Sequence, residues 1–191
     1  VTSGWAVQVN AGGTFTGGTG TAHTVGSFYV LATGTATFTT GTTTINAQNG
    51  GGVGLARLGT LTCPANSTVA FTCPTDQGIN NTMTFYNLTI NCGAITYQFA
   101  AQTISNNLTI TAGTYNTYAP APTSLTVTNA TSITGSLVCN ASTVSLGSGL
   151  NGAIAVNIVA GGVFTGGTGA THTIGNIVNA GTCTLTSGTT T

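Results

Sequence analysis

Charge is almost missing from this chain. Its 191 residues include one Lys or Arg and one Asp or Glu, namely Arg57 and Asp76, so charged residues make up 1%. An ordinary soluble domain carries about 25%. A dispersed monomer relies on surface charge to stay apart from its neighbours; a chain without it needs assembly, a coat of sugar or a membrane. Nucleic acid is excluded as a partner, because neutralising phosphates takes many cations and one Arg cannot supply them. Anionic lipid surfaces are excluded on the same ground. No run of about 18 apolar residues occurs, so no spanning membrane segment is expected. The aromatic girdles of a membrane β-barrel are not visible either.

The groups that carry chemistry are as scarce. Hydrolysis of a glycoside usually takes two carboxylates, and Asp76 stands alone. No G-x-S-x-G elbow accompanies the serines. Neither Gly17-Gly18-Thr19-Gly20 nor Gly50-Gly51-Gly52 is followed by the Gly-Lys-Ser/Thr of a phosphate loop, and both read as tight corners. The two histidines, His23 and His172, are far apart, and no CxxC pair occurs, so no zinc-ligand cluster is formed locally. The expectation is a chain that is not an enzyme, with no catalytic residue, no cofactor and no metal. Arg57 and Asp76 are the one candidate ion pair. They lie in the stretch 46–83, which breaks the strand rhythm and reads as an irregular loop or insertion, the first candidate for a specific contact.

What remains is Thr, Gly, Asn, Ser, Ala and Val. Thr and Val favour strands, and Gly and Asn favour turns. Apolar residues are 40% of the chain and the mean hydropathy is +0.35, which argues against disorder. The sequence starts at Val1 without Met or a signal segment and reads as a processed chain or a piece of something longer.

The chain repeats itself. Residues 11–25 read AGGTFTGGTGTAHTV and residues 160–174 read AGGVFTGGTGATHTI. This aligns Phe15 with Phe164 and His23 with His172 at a spacing of 149 residues. After a two-residue gap, GTATFTTGTTT (34–44) matches GTCTLTSGTTT (181–191). Residues 1–149 therefore form one full unit and 150–191 the start of a second. A finer period lies inside the unit. NLTI occurs at 87–90 and 107–110, SLTV at 124–127, TVSL at 143–146 and AVNI at 155–158. Leu88 and Ile90, Leu108 and Ile110, Leu125 and Val127 alternate with polar residues, the mark of strands with one buried face. Asn91-Cys92-Gly93, Ala112-Gly113 and Ala119-Pro120-Ala121-Pro122 separate them as turns. A β-sandwich has no reason to reuse one tetrapeptide at coil spacing. The expected fold is all-β, a parallel β-helix or β-solenoid with coils of about 20 residues, roughly seven to a unit. Thr39-Thr40 and Thr42-Thr43-Thr44 suit outward-facing hydroxyl ladders.

GTFTGGTGTAHTV, TFYNLTI, SNNLTITAGTY and GTATFTTGTTTI together resemble the β-strand repeats of giant prokaryotic surface proteins, the filamentous-haemagglutinin-like and autotransporter-type adhesins. That resemblance spans nearly the whole chain and implies a parallel β-helix at the cell surface. The charge depletion and the five cysteines depart from it. In those two respects the chain is similar in character to an envelope material such as an archaeal sheath or surface filament.

Cys63 and Cys73 sit in matching Thr-Cys-Pro contexts, which makes a disulfide between them plausible. Cys92, Cys139 and Cys183 are further disulfide candidates, the odd number leaving at least one thiol unpaired, buried or joined to a neighbouring subunit. An extracellular setting permits such bonds. Six N-x-S/T sequons mark N-glycosylation candidates at Asn66, Asn80, Asn87, Asn107, Asn129 and Asn140. A chain this rich in Asn, Ser and Thr yields about as many by chance.

The functional expectation is a structural subunit of an extracellular filament or sheath. It would self-assemble through β-strand stacking, with itself and covalent glycans as partners. The alternative is an adhesin stalk or carbohydrate-binding β-helix, which wants an exposed aromatic row; Tyr86, Tyr97, Tyr115 and Tyr118 are its candidates. A third arrangement is a cross-β arcade with coils from different chains.

Overall fold

The computed structural model describes residues 4–117, 121–168 and 171–191. Every element is a β-strand, and every strand pairing is parallel. The chain winds through three short strands per coil. β1 (Val7–Val9), β2 (Thr14–Thr16) and β3 (His23–Val25) form the first coil. β4 (Phe28–Val30), β5 (Thr35–Thr37) and β6 (Thr42–Ile45) form the second. β7 (Val53–Arg57), β8 (Thr60–Thr62) and β9 (Thr68–Phe71) form the third. β10 (Gln77–Asn80), β11 (Met83–Phe85) and the start of β12 (Asn87–Gln98) form the fourth. The end of β12, β13 (Gln102–Ile104) and the start of β14 (Leu108–Thr117) make the fifth. The end of β14, β15 (Ser124–Val127) and β16 (Thr131–Ile133) make the sixth. β17 (Ser136–Val138), β18 (Thr143–Leu146) and β19 (Ile154–Ile158) are the seventh. β20 (Val163–Thr165), β21 (Thr171–Ile174) and β22 (Asn176–Asn179) are the eighth. β23 (Thr182–Thr184) and β24 (Thr189–Thr190) begin a ninth.

Stacking these coils makes three faces. The first runs from β1 to β23 and the third from β3 to β22; β12 and β14 pass through the corner between them, joining both into one 15-stranded sheet. The second face consists of the 3-stranded sheet β2-β5-β8 followed by the 6-stranded sheet β11-β13-β15-β18-β21-β24. The expected solenoid is thus the observed one. Coil length is less uniform than the NLTI spacing suggests. His172 pairs with Thr190, 18 residues on, and Val144 with His172, 28 residues on.

Alternation drives the register. On the third face Val25, Ile45, Phe71, Ile90, Ile110, Ile133 and Ile158 align in one inward column, beside Val69, Leu88 and Leu108. Leu88, Ile90, Leu108, Ile110, Leu125 and Val127 are all fully buried, as their alternation requires. Each such side chain withdrawn from water contributes about 1.5–3 kcal/mol. A one-residue slip would turn the whole column outward. At the first coils the core is aromatic: Phe28 lies edge-on between Phe15 and Phe38, with centroids 5.2 and 5.0 Å away.

Three expectations need correction. Residues 46–83 are not a projecting loop. β7 to β10 within them are ladder strands, pairing Phe28 with Leu55, Leu55 with Ile79 and Ile45 with Phe71. The strand rhythm looked broken because small Gly54 and Ala56 take buried positions there and connecting segments lengthen the coils. The turns expected at Asn91-Cys92-Gly93 and Ala112-Gly113 do turn the chain from the third face to the first, but as corners inside the continuous strands β12 and β14, with a register shift around Asn91, rather than as breaks between separate strands. Gly113 takes φ 72° there, and a Cβ on it would stand 2.4 Å from the Cys92 carbonyl oxygen. The threonine runs are not wholly outward: Thr39 and Thr43 are buried. Thr39 Oγ1 donates to the Thr21 carbonyl at 3.0 Å. The turn at Ala119-Pro120 lies outside the described residues.

Candidate functional site

No cleft is found among the described residues, and the outer surface of the solenoid consists of its three faces. Its second face is lined with hydroxyls. Thr14, Thr35 and Thr60 form one column and Thr16, Thr37 and Thr62 a parallel one. Further along, Thr84, Thr103, Thr126, Ser145 and Thr173 continue a single column. Neighbours in a column are about 4.8 Å apart, and the two columns about 6.7 Å. The third face carries Thr24 and Thr44, then Thr89, Thr109 and Ser132. These residues are outward because the apolar partners between them turn inward.

Neither charged side chain projects as a free contact, and the expected ion pair between them is absent. Arg57 donates through Nε and Nη2 to the Thr82 carbonyl, at 2.9 and 2.6 Å, and through Nη1 to the Gly59 carbonyl at 3.0 Å. Asp76 Oδ1 accepts the Ile95 amide at 3.0 Å. Each reaches the backbone of the next coil.

An asparagine ladder stitches the corner that precedes the third face. Asn106 Nδ2 donates to Asn87 Oδ1 at 2.9 Å, and Asn129 Nδ2 donates to Asn106 Oδ1 at 2.6 Å. Asn87 Nδ2 donates in turn to the Ser67 carbonyl at 3.2 Å. Asn107 Oδ1 accepts the Ala130 amide at 3.1 Å. The ladder sorts the sequons. Asn87 and Asn129 donate through Nδ2, Asn140 Nδ2 donates to Asn116 and Thr117, and Asn107 and Asn80 are bound through Oδ1. Asn66 and Asn80 are exposed.

The five cysteines are free thiols, so the expected Cys63–Cys73 bridge is not formed, nor is one at Cys92, Cys139 or Cys183. Cys73 is buried inside the coil, whereas Cys63 follows β8 on the second face. Cys73 lies instead one coil from Cys92, whose neighbour Gly93 donates its amide to the Cys73 carbonyl at 3.2 Å. Cys92 Sγ accepts from Gln77 Nε2 at 3.1 Å. Burial pushes the Cys63 thiol up to about 12, against a pull from Arg57, and the Cys139 thiol also to about 12. Cys183 is raised by burial as well.

His172 is buried, edge-on to Phe164 at a centroid distance of 6.3 Å. Burial lowers its pKa from the ordinary 6.5, and the Ser142 backbone offsets part of that. His23 is half-buried beside Thr21 Oγ1, 3.2 Å from Nε2. No group of three or more metal-ligating side chains occurs among the described residues.

The tyrosines expected to line up do not. Tyr115 is fully buried and donates to Gln98 Oε1 at 2.9 Å, and Tyr118 lies outside the described residues. Sequence reasoning missed two stacked pairs instead: Trp5 on Tyr29 at 5.1 Å and Tyr97 on Phe99 at 5.9 Å. Tyr29 and Tyr97 alternate with buried residues of β4 and β12, so both lie on the outside of the first face. The signal was the period of two, which separates Tyr97 from its buried neighbours Thr96 and Gln98.

No protein-family model, no curated protein and no solved structure matches this chain.

Proposed function

We propose that this chain is a structural subunit of an extracellular filament or sheath that self-assembles through stacking of its β-coils. The observation that carries this reading is the scarcity of charge on a rod of parallel strands, one cation and one carboxylate. The one cation is bound to two carbonyls and the one carboxylate to an amide. Nothing electrostatic opposes association. Strand edges supply the template for axial stacking. The cell-surface setting rests on the repetitive, neutral composition and on the resemblance to surface β-repeat proteins. Glycans at exposed Asn66 and Asn80 would hydrate such a material.

The test is electron microscopy and fibre diffraction of the protein at rising concentration. Filaments with a meridional spacing of about 4.8 Å are expected. A protein that stays monomeric and disperse through that range refutes the reading.

A second reading is a carbohydrate-binding stalk, favoured by the stacked pairs Trp5–Tyr29 and Tyr97–Phe99 on the first face. Aromatic faces of this kind stack on sugar rings. Retention on insoluble polysaccharide, lost in Tyr29→Ala and Tyr97→Ala, would favour it over the filament.

A further inference from the structure

The two copies of the repeated sequence occupy different faces of the solenoid. In the first copy the strand of Val7 lies on the first face, that of Phe15 on the second and that of His23 on the third. In the second copy the strand of Val156, which matches Val7, pairs with Thr131 on the third face. That of Phe164 pairs with Leu137 on the first face, and that of His172 with Val144 on the second. The inward pattern survives the move. Phe15 and Phe164 both point inward, as do His23 and His172, while Gln8 and Asn157 both point out. From β1 to β19 the chain makes six coils and two further faces, not a whole number of coils.

We infer that each 149-residue unit turns its surface by a third of a turn, so that a rod built of such units offers one contact strip in three directions to neighbouring copies of the chain. Three units restore the starting face after twenty coils, about 96 Å of axis at about 32 Å per unit. This rests on the filament reading and deepens it, because it names the lateral partner as a second rod of the same chain.

The charge distribution points to the same occupant. A rod that lies on a flat surface by one face keeps that face in one direction, which takes a whole number of coils per unit. It also keeps charge on its remaining faces for solubility. Here the second and third faces have no charged side chain and the first has only Arg57 at the end of β7 and Asp76 just before β10, and the unit rotates. Both features fit a rod covered on three sides by its own kind.

The experiment is electron cryomicroscopy of the assembled native chain beside three variants, each placing one lysine on one face at an exposed outward threonine: Thr184→Lys on the first, Thr16→Lys on the second and Thr24→Lys on the third. The expected result is a three-fold screw repeat in the native material and loss of lateral order in all three variants, with single rods persisting. Lateral order lost through one face only, or the strands of Phe15 and Phe164 found on the same face, overturns the inference and leaves the filament reading standing. Native material without rods overturns both.

Discussion

Removing the side chain of Asn106 tests whether the asparagine ladder holds successive coils together. Asn106 makes two side-chain bonds at a half-buried corner, one donated to Asn87 Oδ1 and one accepted from Asn129 Nδ2. A bond of this kind contributes about 0.5–1.5 kcal/mol, so Asn106→Ala is expected to cost about 1–3 kcal/mol. Asn106→Asp separates the two bonds. A carboxylate still accepts from Asn129 but cannot donate to Asn87, and two oxygens then face each other. Protonation restores a donor. The folded-state pKa of the new Asp is thus raised above its unfolded value of about 3.9. Its deficit relative to wild type is full above the folded pKa and shrinks as pH falls through that value. Urea unfolding of wild type and both variants across that range measures this. Hydrogen exchange at the Asn107 amide, which also reaches Asn87 Oδ1, reads the loss locally. An alanine variant within about 0.3 kcal/mol of wild type, or an Asp deficit indifferent to pH, would refute the reasoning, since neither can follow from a donor that matters.

Three further outcomes are expected. His172 has a lowered pKa in the folded state, so the unfolded chain binds the proton first. Its contribution to stability is intact above pH 6.5 and declines below it, by no more than about 1.4 kcal/mol per pH unit, and His172→Leu removes that slope. Melting curves of the two proteins that run parallel from pH 7 to pH 5 would contradict this. The thiols of Cys63 and Cys139 stay unalkylated by iodoacetamide at pH 8 until the chain unfolds, and reduction changes neither mass nor Tm; a mass gain on reduction would mean a bridge. Where the host attaches N-glycans, peptide mapping finds them at Asn66 and Asn80, and a glycan on Asn87 or Asn129 would break the ladder argument.

The fold was readable where burial follows a strict period of two. Leu88 and Ile90 announce their strand, and Leu108 and Ile110 announce the strand stacked on it at the same inward positions. The corners at Asn91-Cys92-Gly93 and Ala112-Gly113 were readable as breaks in the alternation, but the continuation of the strand through them was not, because a register shift lets the ladder turn without being interrupted. Nor was the 46–83 stretch readable as strands, where Gly54 and Ala56 fill core positions too small to mark a hydrophobic stripe. Thr43 misled because threonine carries both a methyl and a hydroxyl and fits either side of a strand. The rotation of the repeat lay out of reach for a different reason. Aligned residues count position along the chain, and coils that range from 18 to 28 residues break the link between that count and a face. The Trp5–Tyr29 pair was missed because its residues are distant in sequence and meet only between adjacent coils, whereas the period of two could have shown Tyr97 and Phe99 on one side of the chain.

The interruption of the second face has a mechanical meaning. Load applied along the axis runs in line with the hydrogen bonds, and most junctions between coils share it over three ladders. Between the third and fourth coils β8 and β11 belong to separate sheets, so two ladders carry the whole tension. Arg57 stands at that junction, its guanidinium reaching from the end of β7 to Thr82 just before β11. The chain's single cation is a rivet across its weakest seam, and a rod pulled to failure parts there first.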